Sequence, residues 1–234
     1  MRKYEQIYYT GPILEARGLG FAYAGCAPLF SGLNISLHKG ETVILTGPSG
    51  CGKSTLCQIL AFVIPRNIRG ELRGGVFWEG RELGSLTLAQ LTQSVGMVRQ
   101  EPESQILAPT VEDELAFGPE NLRIPPEIIR LRVGEAFALT GLEQYRLSAP
   151  HQLSGGQKQL VALAAVLTLK PRLLILDEIF CHLDEISAAR VEALIQELKR
   201  QNTTVLLTEH DQQRMKLADR TLRLEAGLLK EVLL

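Results

Sequence analysis

Long apolar runs and an excess of basic residues are both missing from this sequence of 234 residues. No run is long and apolar enough to span a bilayer, and the longest, about 160–169, carries polar residues that suit a buried helix. The net charge of −1 gives no support for non-specific binding of nucleic acid. Residues 1–5 lack the basic-then-apolar pattern of a secretory leader, so we expect none.

The cysteines lack the spacing that metal or redox sites require. They are few and scattered, at Cys26, Cys51, Cys57 and Cys181. We therefore expect reduced thiols in a cytosolic protein, and we expect any association with a membrane to come through a partner. Hydrophobic residues make up 45% and charged residues 22% of the chain, which is enough apolar material for one large domain or two small lobes.

The sequence does contain a glycine-rich stretch between two apolar runs, 42–45 and 56–64. Its spacing, G-x-x-x-x-G-K-[ST], is that of a phosphate-binding loop between a strand and a helix. Glycines let successive N–H groups point at a phosphate, and the helix adds its unpaired donors and the positive end of its dipole. The alternative is an ordinary Gly/Ser turn. The pattern predicts that a nucleoside triphosphate binds at Gly47, Pro48, Ser49, Gly50, Cys51, Gly52, Lys53, Ser54 and Thr55, which we call the phosphate loop.

Two residues of this loop have assigned chemistry. Lys53 supplies a positive charge for the β- and γ-phosphates, and Ser54 supplies a hydroxyl for Mg²⁺.

A second constellation follows the apolar residues 173–176, where Asp177 and Glu178 end a strand. One carboxylate suits Mg²⁺, and the other suits a base that activates water. Such a strand end alone is common, but together with the phosphate loop it favours an NTP-hydrolysing site at the carboxyl edge of a sheet.

The apolar periodicity places strands and helices in alternation around a central helical segment. Residues 1–12 form a polar-aromatic extension without clear period. Strands are predicted over 13–23, 33–37, 42–45, 76–78, 96–99, 173–176, 203–208 and 221–224. Helices are predicted from Lys53 to Pro65 and over 86–94, 111–117, 126–140, 154–169, 187–200 and 212–217. Parallel strands joined by helices imply an open α/β sheet.

The third constellation is Ser154, Gly155, Gly156 and Gln157, which we call the signature segment, at the start of a predicted helix. With it, the sequence resembles the ATP-binding subunit of an ABC transporter over nearly its whole length. The resemblance implies a P-loop NTPase fold of the α/β class, with a mostly parallel sheet, an N-terminal antiparallel β portion and an inserted α-helical subdomain. It implies one ABC ATPase domain, with a RecA-like lobe over about 1–100 and 170–234 and a helical subdomain over about 101–169.

The resemblance also implies roles for residues outside these motifs. Tyr23 resembles the aromatic that stacks on adenine, although an exposed strand aromatic is the alternative. Gln100 resembles the glutamine that links Mg²⁺ and the attacking water to the transporter. Asp184 resembles the aspartate of the loop that joins two nucleotide sites, and His210 the histidine that contacts the γ-phosphate.

In that family, two subunits sandwich two ATP molecules head to tail. The resemblance therefore implies a second ATPase subunit, identical or related, whose signature segment completes each site. Catalysis would rest on Glu178, His210, Gln100 and Lys53, and the metal on Ser54, Gln100 and Asp177. The sequence contains no identifiable arginine finger.

Three segments narrow the resemblance further: 100–105, 110–114 and 117–122 are similar to energy-coupling-factor ATPases, which drive uptake of vitamins or of cobalt and nickel. This implies a membrane coupling protein that docks between Gln100 and Leu107, a membrane-embedded capture subunit, and a peripheral location on the cytoplasmic face of the membrane. The alternatives are another ABC importer or a non-transport nucleotide-dependent regulatory module. A chromosome-organising ATPase is disfavoured, because no sustained heptads occur.

Two features depart from the family pattern. After Glu178 the family has Pro and then Ser or Thr, whereas this chain has Ile179, Phe180, Cys181 and His182. We expect this change to affect the rate and symmetry of hydrolysis more than ATP binding, and loop packing explains Cys181 and His182 better than a metal site does. The sequence also ends at Leu234, soon after the last predicted strand, so we expect dimerisation to depend on ATP or on the membrane partner.

Overall fold

The computed structural model describes residues 9–232. Residues 1–8 lie outside the described residues, as do 233 and 234. They include most of the predicted N-terminal extension and all of 1–5, the residues on which the expected lack of a leader rests. Within the described part of the chain, no helix is both long and apolar enough to cross a bilayer.

A small antiparallel sheet is built from the N-terminal part of the chain. It consists of β1 (Leu14–Tyr23), β2 (Phe30–Leu37), β4 (Gly70–Trp78) and β5 (Arg81–Glu82), in the order β2-β1-β4-β5. The predicted N-terminal antiparallel portion is therefore confirmed. The sequence pattern underestimated β4, because its first residues are polar and glycine-rich and are held in register by β1.

The larger sheet carries the strands on which the candidate site depends. Its order is β10-β9-β3-β8-β7-β6, and every pair is parallel except β9 and β10. The strands are β3 (Thr42–Thr46), β6 (Val95–Val98), β7 (Leu173–Asp177), β8 (Thr204–Thr208), β9 (Arg220–Glu225) and β10 (Leu228–Val232). The predicted mostly parallel sheet is confirmed.

Both faces of this sheet are buried, as its apolar strands require. Along β3, Val43 and Leu45 pack with the antiparallel sheet, whereas Ile44 packs with the helices on the other face. Along β7, Ile175 faces the antiparallel sheet and Leu174 and Leu176 face the helices. Side chains in a strand alternate between faces, so these runs of consecutive apolar residues serve two cores at once.

Six α-helices complete the described chain: α1 (Lys53–Leu60), α2 (Leu88–Ser94), α3 (Val111–Asn121), α4 (Pro126–Thr140), α5 (Gly155–Leu167) and α6 (Glu185–Arg200). Helices α3, α4 and α5 pack on one another and share an apolar core with α6 and one face of the large sheet. The division of the chain into a RecA-like lobe and a helical subdomain stays a prediction.

The C-terminal region contains one predicted element and one that was not predicted. Residues Gln212–Leu217 form the predicted helix, with 3₁₀ geometry. It begins where the Asp211 carboxylate accepts the Gln213 N–H. Strand β10 was not predicted, because its exposed polar residues at the edge of the sheet leave a weak apolar pattern. A turn through Ala226 and Gly227, both at positive φ, folds it back on β9.

Candidate functional site

The phosphate loop connects β3 to α1 with a backbone that only glycine accommodates at two positions. Gly47 has a φ of 149°, and a Cβ there would lie 2.1 Å from the Leu224 carbonyl oxygen. Gly52 has a φ of 102° and occupies the N-cap position of α1. The close approach of β9 at Gly47 and the left-handed turn at Gly52 therefore fix the shape of the loop.

The start of α1 has no side-chain cap, because its N-cap residue is Gly52. The N–H groups of the first turn consequently remain available to an anion at the positive end of the helix dipole. The Lys53 ammonium lies across the loop and donates to the carbonyl oxygens of Gly47 (2.9 Å) and Pro48 (3.0 Å). The loop thus combines backbone donors with a nearby positive charge.

Tyr23, at the end of β1, is placed beside the phosphate loop. Its hydroxyl lies 3.0 Å from the Thr55 hydroxyl, and its ring packs edge-on against Phe21 with a centroid separation of 4.9 Å. The structure therefore brings this predicted site residue to the loop although more than twenty residues separate them in the sequence. The side chain is held at both its ring and its hydroxyl end.

Asp177 ends β7 in a buried position, with 2% of its surface exposed. The Thr208 hydroxyl, on the neighbouring strand β8, donates to its Oδ1 at 2.9 Å. Burial raises the pKa of Asp177 above its ordinary value, while the nearby Ser54 and Thr208 hydroxyls counteract this by stabilising the charged form. The acidic strand end and the phosphate loop thus meet at the side chains of Asp177 and Ser54.

Glu178 has a strained backbone, with a φ of 52°. Its N–H donates to the Thr208 hydroxyl at 2.7 Å, so one threonine contacts both neighbouring acidic residues. The Cys181 thiol lies 3.5 Å from Glu178 Oε2 and is oriented to donate to it. Although Cys181 lies at the surface, partial burial of its thiol, followed by the charge of Glu178, raises the pKa of Cys181 to about 11, so the thiol is neutral near pH 7.

His210 lies just beyond the end of β8, and its side chain is 74% exposed. Glu209, which is buried, accepts the N–H groups of His210 (2.8 Å) and Asp211 (3.0 Å) at Oε1. One cavity of about 510 Å³ is lined by residues from the segment that follows β7 and from the segment that follows β8: Glu178, Phe180, Cys181, Glu209, His210, Asp211 and Arg214. The structure therefore brings Glu178 and His210 to the same cavity.

The signature segment starts α5 with a reciprocal cap. The Ser154 hydroxyl accepts the Gln157 N–H (3.2 Å), and the Gln157 side chain accepts the Ser154 N–H (2.9 Å) and donates to the Tyr145 hydroxyl (2.8 Å). Ser154 and Gly155 are exposed. A Cβ on Gly156 would lie 2.5 Å from the His182 carbonyl oxygen, so α5 begins in contact with the loop that follows Glu178.

Asp184 caps the next helix. Its carboxylate accepts the Ser187 N–H at the start of α6 (2.7 Å), and this bond holds the pKa of Asp184 below its ordinary value. Its side chain lies on the surface, at the end of the same loop that contacts Gly156. The structure thus joins the Glu178 loop, the signature segment and Asp184 into one continuous surface.

Gln100 follows β6, the neighbour of β7 at the edge of the large sheet, and is exposed. Because β6 and β7 are parallel, with Val98 opposite Leu176, Gln100 lies past the same sheet edge as Asp177. The Gln105 side chain fixes this segment by accepting the Arg99 N–H (2.8 Å) and donating to the Met97 carbonyl (3.2 Å). Among the described residues, the Gln100 side chain makes no hydrogen bond with Asp177 or with Ser54.

Sequence reasoning missed three residues of this region: Thr208, Glu209 and Arg214. Each is ordinary in the sequence and acquires its place through a neighbouring strand or loop. Thr208 offered one signal, since it is a hydroxyl residue at the end of an apolar run and stands opposite Asp177 in the parallel pair. Arg214 offered no signal of its contact with the Glu178 loop, because Phe180 and Glu192 are distant in the sequence and only its acidic partners Glu209 and Asp211 are near.

Comparisons with known proteins agree with the geometry. Residues 30–180 match the ABC transporter family. The energy-coupling factor transporter ATP-binding protein EcfA of Methanocaldococcus jannaschii is 37% identical over 201 residues, which are 85% of this chain and 70% of the relative. An ABC transporter ATP-binding protein of Methanosarcina acetivorans is 38% identical over 218 residues. That match spans 92% of this chain but only 34% of the relative. A match to a Methanosarcina mazei protein also covers 34% of that relative, so the chain spans about a third of the length of these two relatives.

Solved structures give the same result for the fold. The structure of cbiO1 from Clostridium perfringens, described as part of the ABC transporter complex cbiONQ, has a TM-score of 0.80 and 28% identity, over 94% of this chain and 87% of that chain. A dimeric ATP-binding cassette bound to ADP and phosphate has a TM-score of 0.81 at 24% identity, over 94% and 97% of the two chains, and shows the shared fold. The predicted fold and the resemblance to energy-coupling-factor ATPases are confirmed. The chain therefore belongs to the ABC transporter family, among its ATP-binding proteins.

Proposed function

We propose that this chain is the ATP-binding and ATP-hydrolysing subunit of an ABC importer of the energy-coupling-factor type, which drives uptake of a vitamin or a transition-metal ion. One observation carries the proposal. The uncapped helix start at Gly52 and the acidic strand end at Asp177 and Glu178 meet in a chain that also presents an exposed signature segment. The relatives named as energy-coupling-factor ATP-binding proteins support the importer class.

The substrate is ATP with its Mg²⁺. The phosphate loop, from Gly47 to Thr55, holds the phosphates through backbone N–H groups, with Lys53 at the β- and γ-phosphates, and Tyr23 stacks on the base. The metal ligands are Ser54, Asp177 and Gln100, whose hydroxyl, carboxylate and amide oxygens are the hard donors that Mg²⁺ prefers. The buried, raised-pKa carboxylate of Asp177 fits this assignment, because a divalent cation offsets the cost of burying its charge.

Hydrolysis then rests on three side chains. Glu178 accepts a proton from water as the water oxygen attacks the γ-phosphorus in line, and ADP leaves. His210 donates a hydrogen bond to the γ-phosphate, and Lys53 stabilises the charge that develops on it. Gln100 orients the water and reports its presence to the segment that follows β6. The strained backbone of Glu178 supports this role, because such strain concentrates at functional positions.

A second subunit, identical or related, completes the site. Its Ser154, Gly155 and Gly156 close onto the γ-phosphate bound in the first subunit, while Gln157 holds the cap and Asp184 lies between the two sites. The exposure of Ser154 and Gly155 supports this arrangement, as does the dimeric state of a cassette with the same fold. A single chain has half of each site.

The membrane partners dock on the same side as Gln100. A coupling protein contacts the segment between Gln100 and Leu107, where the Leu107 side chain is 79% exposed, and a separate capture subunit binds the solute. The subunit is thus held peripherally on the cytoplasmic face of the membrane. Closure and reopening of the ATPase pair move the coupling protein and drive transport.

The test is a pull-down of the tagged protein from gently solubilised membranes, with co-purifying proteins identified. We expect a coupling membrane protein and a capture subunit, and we expect Leu107→Ser to reduce their recovery. The matched control is Leu88→Ser, since Leu88 is a similarly exposed leucine, at 57%, on α2. A conventional permease would refute the energy-coupling-factor assignment. Soluble partners alone would favour the regulatory-module alternative, and steady-state phosphate release then decides whether the chain hydrolyses ATP.

A further inference from the structure

The loop that departs from the family pattern is anchored in the interior. Ile179 is fully buried and Phe180 is 5% exposed, whereas the family has Pro and Ser or Thr at these positions. Phe180 therefore inserts an aromatic ring two residues after Glu178, at the wall of the cavity that Glu178 and His210 share. A side chain of this size needs a neighbour that covers its face.

Arg214 is that neighbour. Its guanidinium lies 4.4 Å from the centroid of the Phe180 ring, and its side chain is 24% exposed. Arg214 belongs to the 3₁₀ helix that follows His210, so the stack joins two loops that follow different strands. A guanidinium over an aromatic face is attractive, and more so when both groups are withdrawn from water.

The charge of Arg214 faces a second group of partners. Its Nη1 lies 3.2 Å from Asp211 Oδ2 and 3.6 Å from Glu209 Oε2, and its Nε lies 3.6 Å from Glu192 Oε1 on α6. Glu209 is the carboxylate that accepts the N–H groups of His210 and Asp211. Arg214 thus neutralises the buried group that holds the backbone of His210 in place.

We propose that Arg214, stacked on Phe180 and paired with Glu209, is a positioning residue that ties the loop of Glu178 to the loop of His210. The base and the γ-phosphate contact of the proposed reaction then move as one unit. Position 179 is Ile rather than the proline of the family pattern, so no proline ring restricts the backbone there. The catalytic part of the inference rests on the proposed function, whereas the mechanical tie does not.

Hydrogen exchange of the full-length chain tests the tie directly. Phe180→Leu changes the loop that contains Glu178, and we expect it to raise hydrogen exchange in the loop that contains His210, at 209–213. Arg214→Met changes the element that follows His210, and we expect it to raise hydrogen exchange at 178–183. The exchange rate is expected to rise about two- to fivefold, because loss of the cation–π contact makes local opening of the loop that much more frequent. Phe180→Tyr keeps the aromatic face and is expected to retain the wild-type exchange rates. If each variant changes only the segment that contains it, the tie does not exist.

A matched control comes from a similar stack at the opposite edge of the sheet. Arg172 precedes β7, lies 5.3 Å from the Trp78 ring centroid and pairs with Glu79. We expect Arg172→Met to lower the unfolding temperature about as much as Arg214→Met does, without changing exchange at 178–183 or 209–213. Changes in these two segments on Arg172→Met would mean that they report general loosening, and the proposal would be overturned.

Steady-state phosphate release then tests the catalytic consequence. We expect Arg214→Met and Phe180→Leu to lower kcat by about tenfold or more, since displaced catalytic groups lose alignment, while KM for ATP stays within about twofold. Equal losses in kcat and ATP affinity would refute the positioning role. If the wild-type chain released no phosphate, the proposed function would fail, and the exchange experiment would still decide the tie.

Discussion

Helices α1 and α5 both begin at glycine-rich segments, yet their starts are built differently. α1 begins after Gly52, which has no side chain to cap the helix, and Lys53 lies beside its free donors. α5 begins after Ser154, whose hydroxyl and backbone are both engaged with Gln157. The first start is open to a ligand, whereas the second is stabilised without one.

This difference suggests two separate roles: the start of α1 binds the nucleotide, and the start of α5 completes the nucleotide site of a second subunit. Around α1 the chain supplies the loop, a cation and the acidic strand end, so one subunit has the groups to hold a nucleotide. Around α5 it supplies backbone N–H groups on Gly155 and Gly156, and the positive charge in the first turn of the helix, Lys158, is paired with Glu103. We infer that the phosphate loop at the start of α1 determines the affinity for ATP, whereas turnover requires both the acidic strand end at Glu178 and the α5 start of the partner subunit. Each prediction below tests one part of this division.

The largest effect is expected for Glu178→Gln, on the α1 side. The amide cannot accept the proton of the attacking water, so we expect kcat to fall by about 10²- to 10⁴-fold while ATP binding persists. The measurement is steady-state phosphate release beside an ATP titration. Glu197→Gln, at an exposed pair with Arg200 on α6, is the control and is expected to retain wild-type turnover. Unchanged turnover in Glu178→Gln would remove Glu178 from its role.

The next effect concerns Lys53→Ala. Loss of a charge-assisted hydrogen bond to phosphate, about 1.5–3 kcal/mol, corresponds to an ATP affinity lower by about ten- to a hundredfold in the single chain. An equilibrium titration with ATP measures it. Lys170→Ala, which removes a surface ion pair with Glu135, serves as the control. Ser154→Ala in the same titration is expected to bind ATP as the wild type does, and an equal loss there would abolish the division between α1 and α5.

The sequence was sufficient for most of the fold because the signals are local. The loop spacing at 47–55 predicts a turn between a strand and a helix, which is its place between β3 and α1, and apolar runs with period two or 3.6 place most of the other strands and helices. The roles assigned to the phosphate loop, Asp177, Glu178 and the signature segment stay predictions. The roles assigned to Tyr23, Gln100, Asp184 and His210 came from family resemblance and stay predictions.

What the sequence could not supply depends on partners distant in the chain. Thr208 contacts both Asp177 and Glu178 only because β7 and β8 are adjacent. The sequence gives no reason for a phenylalanine at position 180, and the structure gives one, because Arg214 packs over its ring. Strand β10 has an exposed, polar pattern that does not predict a strand, and it is a strand because it pairs with β9. In each case the tertiary pairing, rather than local propensity, determines the outcome.

A smaller effect distinguishes the two glycines at the start of α5. A Cβ on Gly156 would meet the His182 carbonyl at 2.5 Å, whereas one on Gly155 has its nearest neighbour at 3.9 Å. We expect Gly156→Ala to destabilise the chain by about 1–3 kcal/mol, or about 2–4 °C in Tm for each kcal/mol, and Gly155→Ala to leave Tm unchanged.

The same pair tests the division by function. Because Gly155 is exposed, its methyl group would meet only a phosphate bound in the partner subunit, so Gly155→Ala is expected to lower turnover without changing Tm or the ATP affinity of the single chain. Thermal unfolding, ATP titration and phosphate release measure the three quantities. Wild-type turnover in Gly155→Ala would show that α5 does not approach the reacting phosphate.

The smallest effect is in thiol reactivity, and it reports on Glu178 without any nucleotide. Partial burial of the thiol and then the Glu178 carboxylate raise the pKa of Cys181 to about 11, so only about one thiol in a thousand is ionised at pH 8. Since the thiolate is the reactive form, alkylation of Cys181 is expected to accelerate as the pH rises toward 11. Glu178→Gln removes a negative charge, which lowers the pKa of Cys181 and speeds alkylation at pH 8. Cys26, which is also exposed but lies between β1 and β2, is the internal reference, since its alkylation rate is expected to be the same in both proteins. An unchanged rate at Cys181 would place the Glu178 carboxylate away from the thiol and would weaken the view that one chain preassembles the α1 side of the site.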